Sequence, residues 1–167
     1  MTSLETATPL ESAARVLDPE VPVLTIADLG VLRDVRQDPG GRVVVTITPT
    51  YSGCPAMDAI RADITQALRD DGYDDVLVET VLAPAWTTDW ITDEGRRKLQ
   101  EYGIAPPQPR RPAGPVSLFL GMRPPALDCP LCGSPRTREV SRFGSTACKS
   151  HWVCEDCREP FDHFKSL

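Results

Sequence analysis

Apolar and polar residues recur along this chain with two different periods, and the places where the period changes mark out its elements. Leu10, Ala13, Ala14 and Leu17 follow helical spacing behind Thr8, which suits an N-cap, with Pro9 at the first helical position and Glu11 completing a capping box. Asp18-Pro19 stops this helix, because a residue before proline is pushed out of helical geometry. After an irregular stretch from Glu20 to Gly30, Val31 to Arg36 reads as a strand, and Asp38-Pro39-Gly40-Gly41 turns it into the strongest strand signal of the chain, Val43 to Thr48. The two strands predict a β-hairpin.

Tyr51-Ser52-Gly53-Cys54-Pro55 opens a second helix, with Pro55 suited to its first position and Ala56, Ile60, Ile64, Ala67 and Leu68 on one face. Asp70-Asp71-Gly72 ends it, and Val76 to Val81 forms a third strand. Ala83-Pro84-Ala85-Trp86 leads to a short helix around Asp93 to Tyr102, closed by Gly103. The pattern predicts a compact α/β sandwich over residues 1–104. Seven prolines between Ala105 and Pro125 disfavour regular structure, so residues 105–126 read as an extended connector and 127–167 as a second module. Within the connector, Val116 to Leu120 is a candidate edge strand that would dock one module on the other.

Composition supports a folded protein, since 41% apolar and 25% charged residues are close to globular averages. Charge is divided unevenly. Residues 1–94 carry 6 basic and 17 acidic side chains, a net charge of −11, whereas residues 95–167 carry 12 and 7, a net charge of +5. An acidic first module is a poor partner for phosphate backbones, which argues against a nucleic-acid reader. The opening MTSLETATPL has no basic residue and no apolar run, and no stretch approaches the roughly 18 apolar residues of a membrane span, so a cytoplasmic protein with no membrane partner is expected.

In a reducing cytoplasm six cysteines point away from disulfides and toward metal or thiol chemistry, the more so because five fall in the last 39 residues. Cys129-Pro130-Leu131-Cys132 and Cys154-Glu155-Asp156-Cys157 form two hooks separated by 21 residues, each able to aim two thiolates at one ion. Zinc favours four tetrahedral ligands, and a closed set of four cysteines is structural because no position remains for substrate. One structural zinc per chain, held by Cys129, Cys132, Cys154 and Cys157, is therefore expected, with iron as the competing metal. Cys148, His151 and His163 are alternative ligands. The bland reading makes the histidines surface or packing residues and Cys148 a spare thiol beside the metal.

Cys54 stands apart. At the start of the second helix it faces unsatisfied N–H groups and the positive end of the helix dipole, both of which favour thiolate over thiol. It can serve as nucleophile or metal ligand, or it can be a small buried residue packing a tight Gly-Cys-Pro turn.

Asp18-Pro19-Glu20, Asp28-Leu29-Gly30, Thr48-Pro49-Thr50-Tyr51 and Gly53-Cys54-Pro55 together resemble the iron-sulfur cluster assembly domain family over roughly residues 10–100. The resemblance implies a small α/β fold, a role in cytosolic iron-sulfur protein maturation, and a functional Cys54. A closer resemblance, to the PaaD family of bacterial phenylacetate degradation, extends through Trp86-Thr87-Thr88-Asp89-Trp90, Tyr102-Gly103-Ile104-Ala105-Pro106-Pro107, Phe143-Gly144-Ser145-Thr146-Ala147-Cys148 and Glu159-Pro160-Phe161-Asp162-His163-Phe164. It implies an iron-sulfur-assembly-type α/β sandwich followed by a four-cysteine zinc-ribbon module. The partners it implies are the oxygenase and iron-sulfur reductase components of a phenylacetyl-CoA epoxidase; a homodimer is a further expectation.

The chain lacks the Glu-x-x-His context of a di-iron cage and a Gly-rich dinucleotide fingerprint, so by elimination it assists an oxygenase without being its catalytic centre. The preferred expectation is an accessory protein that helps load an iron or iron-sulfur centre, with Cys54 and Cys148 as transient ligands of iron or a cluster. Asp18, Glu20 and Asp28 are candidates for the surface around the thiol, against the alternative that they are solvated loop residues. Trp86 and Trp90 read as core or docking aromatics. Two rivals remain: a non-catalytic adaptor that contacts the oxygenase through the ribbon and the aromatic tail Phe161 to Phe164, and a thiol enzyme with Cys54 as nucleophile.

Overall fold

The computed structural model describes residues 7–108 and 127–166. The chain divides into two compact units, residues 1–95 and 96–167, so the division falls inside a helix rather than at 104/105 as the proline pattern suggests. Most of the expected connector, with the candidate strand Val116 to Leu120, lies outside the described residues.

In the first unit, α1 (Pro9–Ala14) begins with the expected capping box: the Glu11 N–H donates to Thr8 Oγ1, and the Thr8 N–H donates back to Glu11. It is shorter than its apolar spacing suggests. Leu10 and Leu17 are 55% and 51% exposed, and Leu17 instead forms an isolated antiparallel bridge with Thr25. The chain turns because Asp18 Oδ1 accepts the N–H groups of Glu20 and Val21 at 2.9 and 2.7 Å, a local bond that competes with helix continuation.

The hairpin strands are β1 (Leu32–Gln37) and β2 (Val43–Ile47), paired antiparallel. The chain then passes through α2 (Ala56–Asp70) into β3 (Val76–Thr80), which pairs parallel with β2. The sheet order is β1-β2-β3, and β2-α2-β3 is a crossover unit. Its core follows from the two periods: Ile60, Ile64 and Leu68, one helical turn apart, are buried, as are Val43, Val45 and Ile47, two residues apart. Each such side chain contributes about 1.5–3 kcal/mol of burial.

A 3-10 turn (Thr88–Trp90) and α3 (Asp93–Glu101) follow. Trp86 is buried and its indole N–H donates to the Leu29 carbonyl at 2.9 Å, while Trp90 lies 3.6 Å beneath the Arg33 guanidinium. Gly30 has φ +70°, and a Cβ there would lie 2.6 Å from Trp90 Cβ. The Asp28-Leu29-Gly30 motif and the two tryptophans thus form one packed cluster, and core is the role the structure gives Trp86.

The second unit is a four-stranded sheet of order β4-β7-β6-β5, built from β4 (Ile104–Ala105), β5 (Thr137–Ser141), β6 (Lys149–Cys154) and β7 (Pro160–Phe164). Ile104 and Ala105 pair in parallel with Asp162 and His163, which draws the start of the expected connector into this sheet. Ala105, Leu127, Cys129, Trp152, Cys154 and Phe161 form its core. Phe161 and Phe164 are 4% and 1% exposed, so these two rings belong to the interior of the ribbon and are not the exposed aromatics that an adaptor surface calls for. Among the described residues no helix is long and apolar enough to cross a membrane.

Candidate metal centre and thiol site

Two tight turns build the metal centre. In the first, the Gly133 N–H donates to the Cys129 carbonyl at 2.8 Å and the Cys129 N–H to the Ser134 carbonyl at 2.9 Å. Gly133 takes φ +74°, which glycine adopts without steric cost. In the second, the Cys154 N–H donates to the Glu159 carbonyl at 3.0 Å, and the position after the second cysteine again has positive φ, here +67° at Arg158. The two hooks share one backbone solution, with glycine in one and a strained arginine in the other.

The four sulfurs converge within 4.8 Å of one another, and among the described residues no other group of three or more His, Cys, Asp or Glu side chains is so placed. Tetrahedral zinc with Zn–S bonds of about 2.3 Å requires sulfurs about 3.8 Å apart. Cys129 and Cys157 are 3.8 Å apart and Cys132 and Cys154 3.6 Å, so the donor set fits that ion. The Cys157 N–H donated to Cys154 sulfur, supported by the Asp156 N–H and the thiols of Cys132 and Cys157 and opposed by burial, brings the Cys154 pKa down to about 7. At Cys157 the Glu159 N–H is outweighed by burial and by the neighbouring Cys154, Cys132 and Cys129 sulfurs, which push that thiol up to about 12. Four sulfurs cannot all ionise side by side without a cation among them, which is the chemistry a bound dication supplies.

Cys148, His151 and His163 lie outside this set. Cys148 is 3% exposed with its sulfur 3.0 Å from Thr146 Oγ1, which does not suit the transient ligand expected from sequence. His151 Nδ1 faces Asp162 Oδ1 at 3.2 Å. His163 Nδ1 faces Ser150 Oγ at 3.3 Å, and burial, with Lys165 adding, lowers its pKa to about 4, so the ring is neutral near pH 7.

Cys54 sits at the carboxyl end of β2, where the chain turns into α2. This end of parallel strands is where open α/β sheets bind ligands. Gly53 supplies φ +85°, the Cys54 N–H donates to the Tyr51 carbonyl at 3.3 Å, and the Met57 N–H donates to the Cys54 carbonyl at 3.3 Å. The sulfur is half-buried, and burial raises its pKa. The Ala56 N–H at the helix start lowers it, as the sequence suggests, and so does a hydrogen bond with the Tyr51 side chain, but Glu20 and Asp18 raise it again. The net direction is upward, which corrects the expectation of a thiolate at rest: helix position and the candidate carboxylates Asp18 and Glu20 are legible from sequence, but the burial that leads the shift is not.

The charges of Glu20 and Asp18 thus bear on Cys54 only as lesser contributions behind burial, and Asp18 is itself 7% exposed and engaged in its turn. Asp28 has a different task. Its Oδ2 accepts the Thr25 N–H at 3.0 Å, its own N–H donates to Thr25 Oγ1 at 3.0 Å, and its carbonyl accepts the Thr92 N–H at 2.9 Å. It ties the loop before β1 to the loop before α3. Tyr51 is the residue that sequence reasoning missed as a partner of the thiol; its place three residues before Cys54 in a tight turn was the available signal.

Comparison with known proteins places both units. Residues 12–80 match the profile described as iron-sulfur cluster assembly protein, and residues 113–165 match the PaaD zinc beta ribbon domain. A crystal structure of a domain of unknown function, DUF59, from Bacillus anthracis matches 55% of this chain and 87% of its own at TM-score 0.51 and 27% identity. An Fe-S protein maturation auxiliary factor from Porphyromonas gingivalis is 34% identical over 85 residues, covering 50% of this chain and 80% of that protein. The fold and the four-cysteine centre thus define an iron-sulfur-assembly-type α/β unit joined to a zinc ribbon. A protein of Escherichia coli K12, provisionally named as a subunit of 1,2-phenylacetyl-CoA epoxidase, is 48% identical over 154 residues, covering 92% of this chain and 88% of that protein. The chain belongs to this PaaD family.

Proposed function

We propose that this chain is an accessory component of a phenylacetyl-CoA epoxidase system that helps load an iron or iron-sulfur centre of the oxygenase or its reductase, with Cys54 as the exchanging thiol and zinc in the ribbon. The observation that carries this reading is the electrostatics at Cys54. Burial, Glu20 and Asp18 disfavour a bare thiolate, but the same two carboxylates attract a cation, so the site is poised to ionise its sulfur when an iron ion arrives. A half-buried sulfur beyond the carboxyl end of the central strand can then give the ion up, because one thiolate does not close a coordination sphere. The match of residues 12–80 to the assembly family, and the name of the Escherichia coli relative, supply the class of cargo and of client.

The test is to produce the epoxidase components beside the parent chain or beside Cys54→Ser and to measure their iron content. Iron-deficient components with the variant support the loading role; iron-replete components overturn it. That the relative is named as a subunit favours a second reading, a stoichiometric adaptor, for which the same components come out iron-replete but poorly active.

A further inference from the structure

Around the ribbon's four sulfurs, polar groups of the two hooks are tied to each other. Asp156, between the cysteines of the second hook, accepts hydrogen bonds through both carboxylate oxygens from residues that follow the first hook: Ser134 Oγ donates to Oδ2 and the Arg136 guanidinium to Oδ1. The Arg136 N–H donates to Ser134 Oγ at 3.1 Å, and the Glu155 N–H donates to the Arg136 carbonyl at 2.8 Å. Ser134 in turn accepts the Cys129 N–H on its own carbonyl at 2.9 Å. The bridge is therefore anchored beside metal-ligating cysteines at both ends.

Resting on the zinc reading of the four cysteines, we propose that Asp156, Ser134 and Arg136 form a latch between the hooks that sets how slowly the ribbon releases its metal. The physical reason is cooperativity of dissociation. A four-coordinate ion leaves after one hook swings away and exposes an open position, and the latch resists that first swing because the second hook cannot move without breaking bonds to the first. Asp156, Ser134 and Arg136 touch no metal; they are positioning residues. Their separation in sequence, 20 to 22 residues, means that the latch exists only when the hooks are already closed together. It therefore slows opening more than it assists the capture of the ion by the first two cysteines.

The test uses the full chain, loaded with one equivalent of zinc, and follows first-order transfer of the metal to excess 4-(2-pyridylazo)resorcinol. Partners that hold ligands in place are typically worth about 10–100-fold in metal affinity, so Asp156→Ala should release zinc at least about tenfold faster than the parent. Ser134→Ala should release it faster by a smaller factor, and the double variant should match Asp156→Ala alone, because both changes break one bridge. Rates for Asp156→Ala within twofold of the parent, or effects of the two changes that multiply independently, overturn the proposal. Should Asp156→Ala fail to load zinc, Asp156→Asn, which keeps the shape and one acceptor oxygen, is measured in its place against the same limits. A parent chain that holds no zinc overturns the zinc reading itself, an outcome distinct from a loaded parent whose variants release at the parental rate.

Discussion

The Cys54 turn and the four-cysteine centre both aim backbone N–H groups at sulfur, yet they arrive at different chemistry. At Cys154 those N–H groups prevail and the thiol falls to about 7, with three further sulfurs within 4.8 Å. At Cys54 the Ala56 N–H is outweighed by burial and by Glu20 and Asp18, and the thiol stays protonated without a cation. The same local device therefore serves two different settings, a four-sulfur tetrahedron that fits a resident metal and a single sulfur set near carboxylates, to which the proposed function gives a passing cargo. What distinguishes them is the number of sulfur donors, together with the burial and carboxylates that raise the thiol at Cys54, not the turn itself.

The comparison breaks most visibly if the ribbon's metal is dispensable. Replacing Cys157 by Ser, or stripping the metal with a chelator, should unfold the second unit, since structural zinc contributes about 10–16 kcal/mol in small modules of this type. Hydrogen exchange should show loss of protection in β5 to β7 while β1 to β3 and α2 stay protected. Equal loosening of both units would show one cooperative whole.

A smaller effect probes the packing that supports the thiol unit. Gly30→Ala places a Cβ 2.6 Å from Trp90 in a left-handed backbone, and should destabilise the first unit by about 2–4 kcal/mol in urea unfolding without releasing zinc. Relief of strain in the ribbon is smaller still. Arg158→Gly at φ +67° should stabilise the second unit by about 0.5–1 kcal/mol, read as a higher melting temperature at full zinc occupancy.

The smallest effect sharpens the electrostatic half of the comparison. Because the folded state raises the Cys54 pKa, its thiolate is scarcer at pH 7 than that of an ordinary cysteine, and alkylation by iodoacetamide should be correspondingly slow and rise through the alkaline range. Glu20→Gln removes one of the charges that raise the pKa and should speed alkylation a few-fold at fixed pH. An unchanged rate would remove Glu20 from the thiol's environment.

Much of the architecture is legible in the sequence because it is written locally. The Thr8–Glu11 capping box, the β-branched run of β2, the helical spacing of Ile60, Ile64 and Leu68, and the two Cys-x-x-Cys hooks all recur in the structure where their spacing puts them. Long-range pairing is not written that way. Ile104 and Ala105 join β7 across more than fifty residues, and nothing in a proline-rich stretch announces it. Leu17 fits a helical face by spacing yet is drawn into a bridge with Thr25 by the Asp18 turn. The same limit governs the sites: ligand number at the ribbon follows from spacing, and Asp18 and Glu20 are offered as neighbours of the thiol by their motif, but the burial that leads the rise in the Cys54 pKa is a product of the fold.

The division between resident and passing metal is tested most directly by anaerobic titration of the zinc-loaded chain with ferrous iron, with both metals quantified after desalting. The account predicts one zinc retained throughout, one further iron taken up weakly by the parent, and none by Cys54→Ser at unchanged zinc content and nearly unchanged melting temperature. Iron that displaces the zinc, or that binds Cys54→Ser as well as the parent, would contradict it.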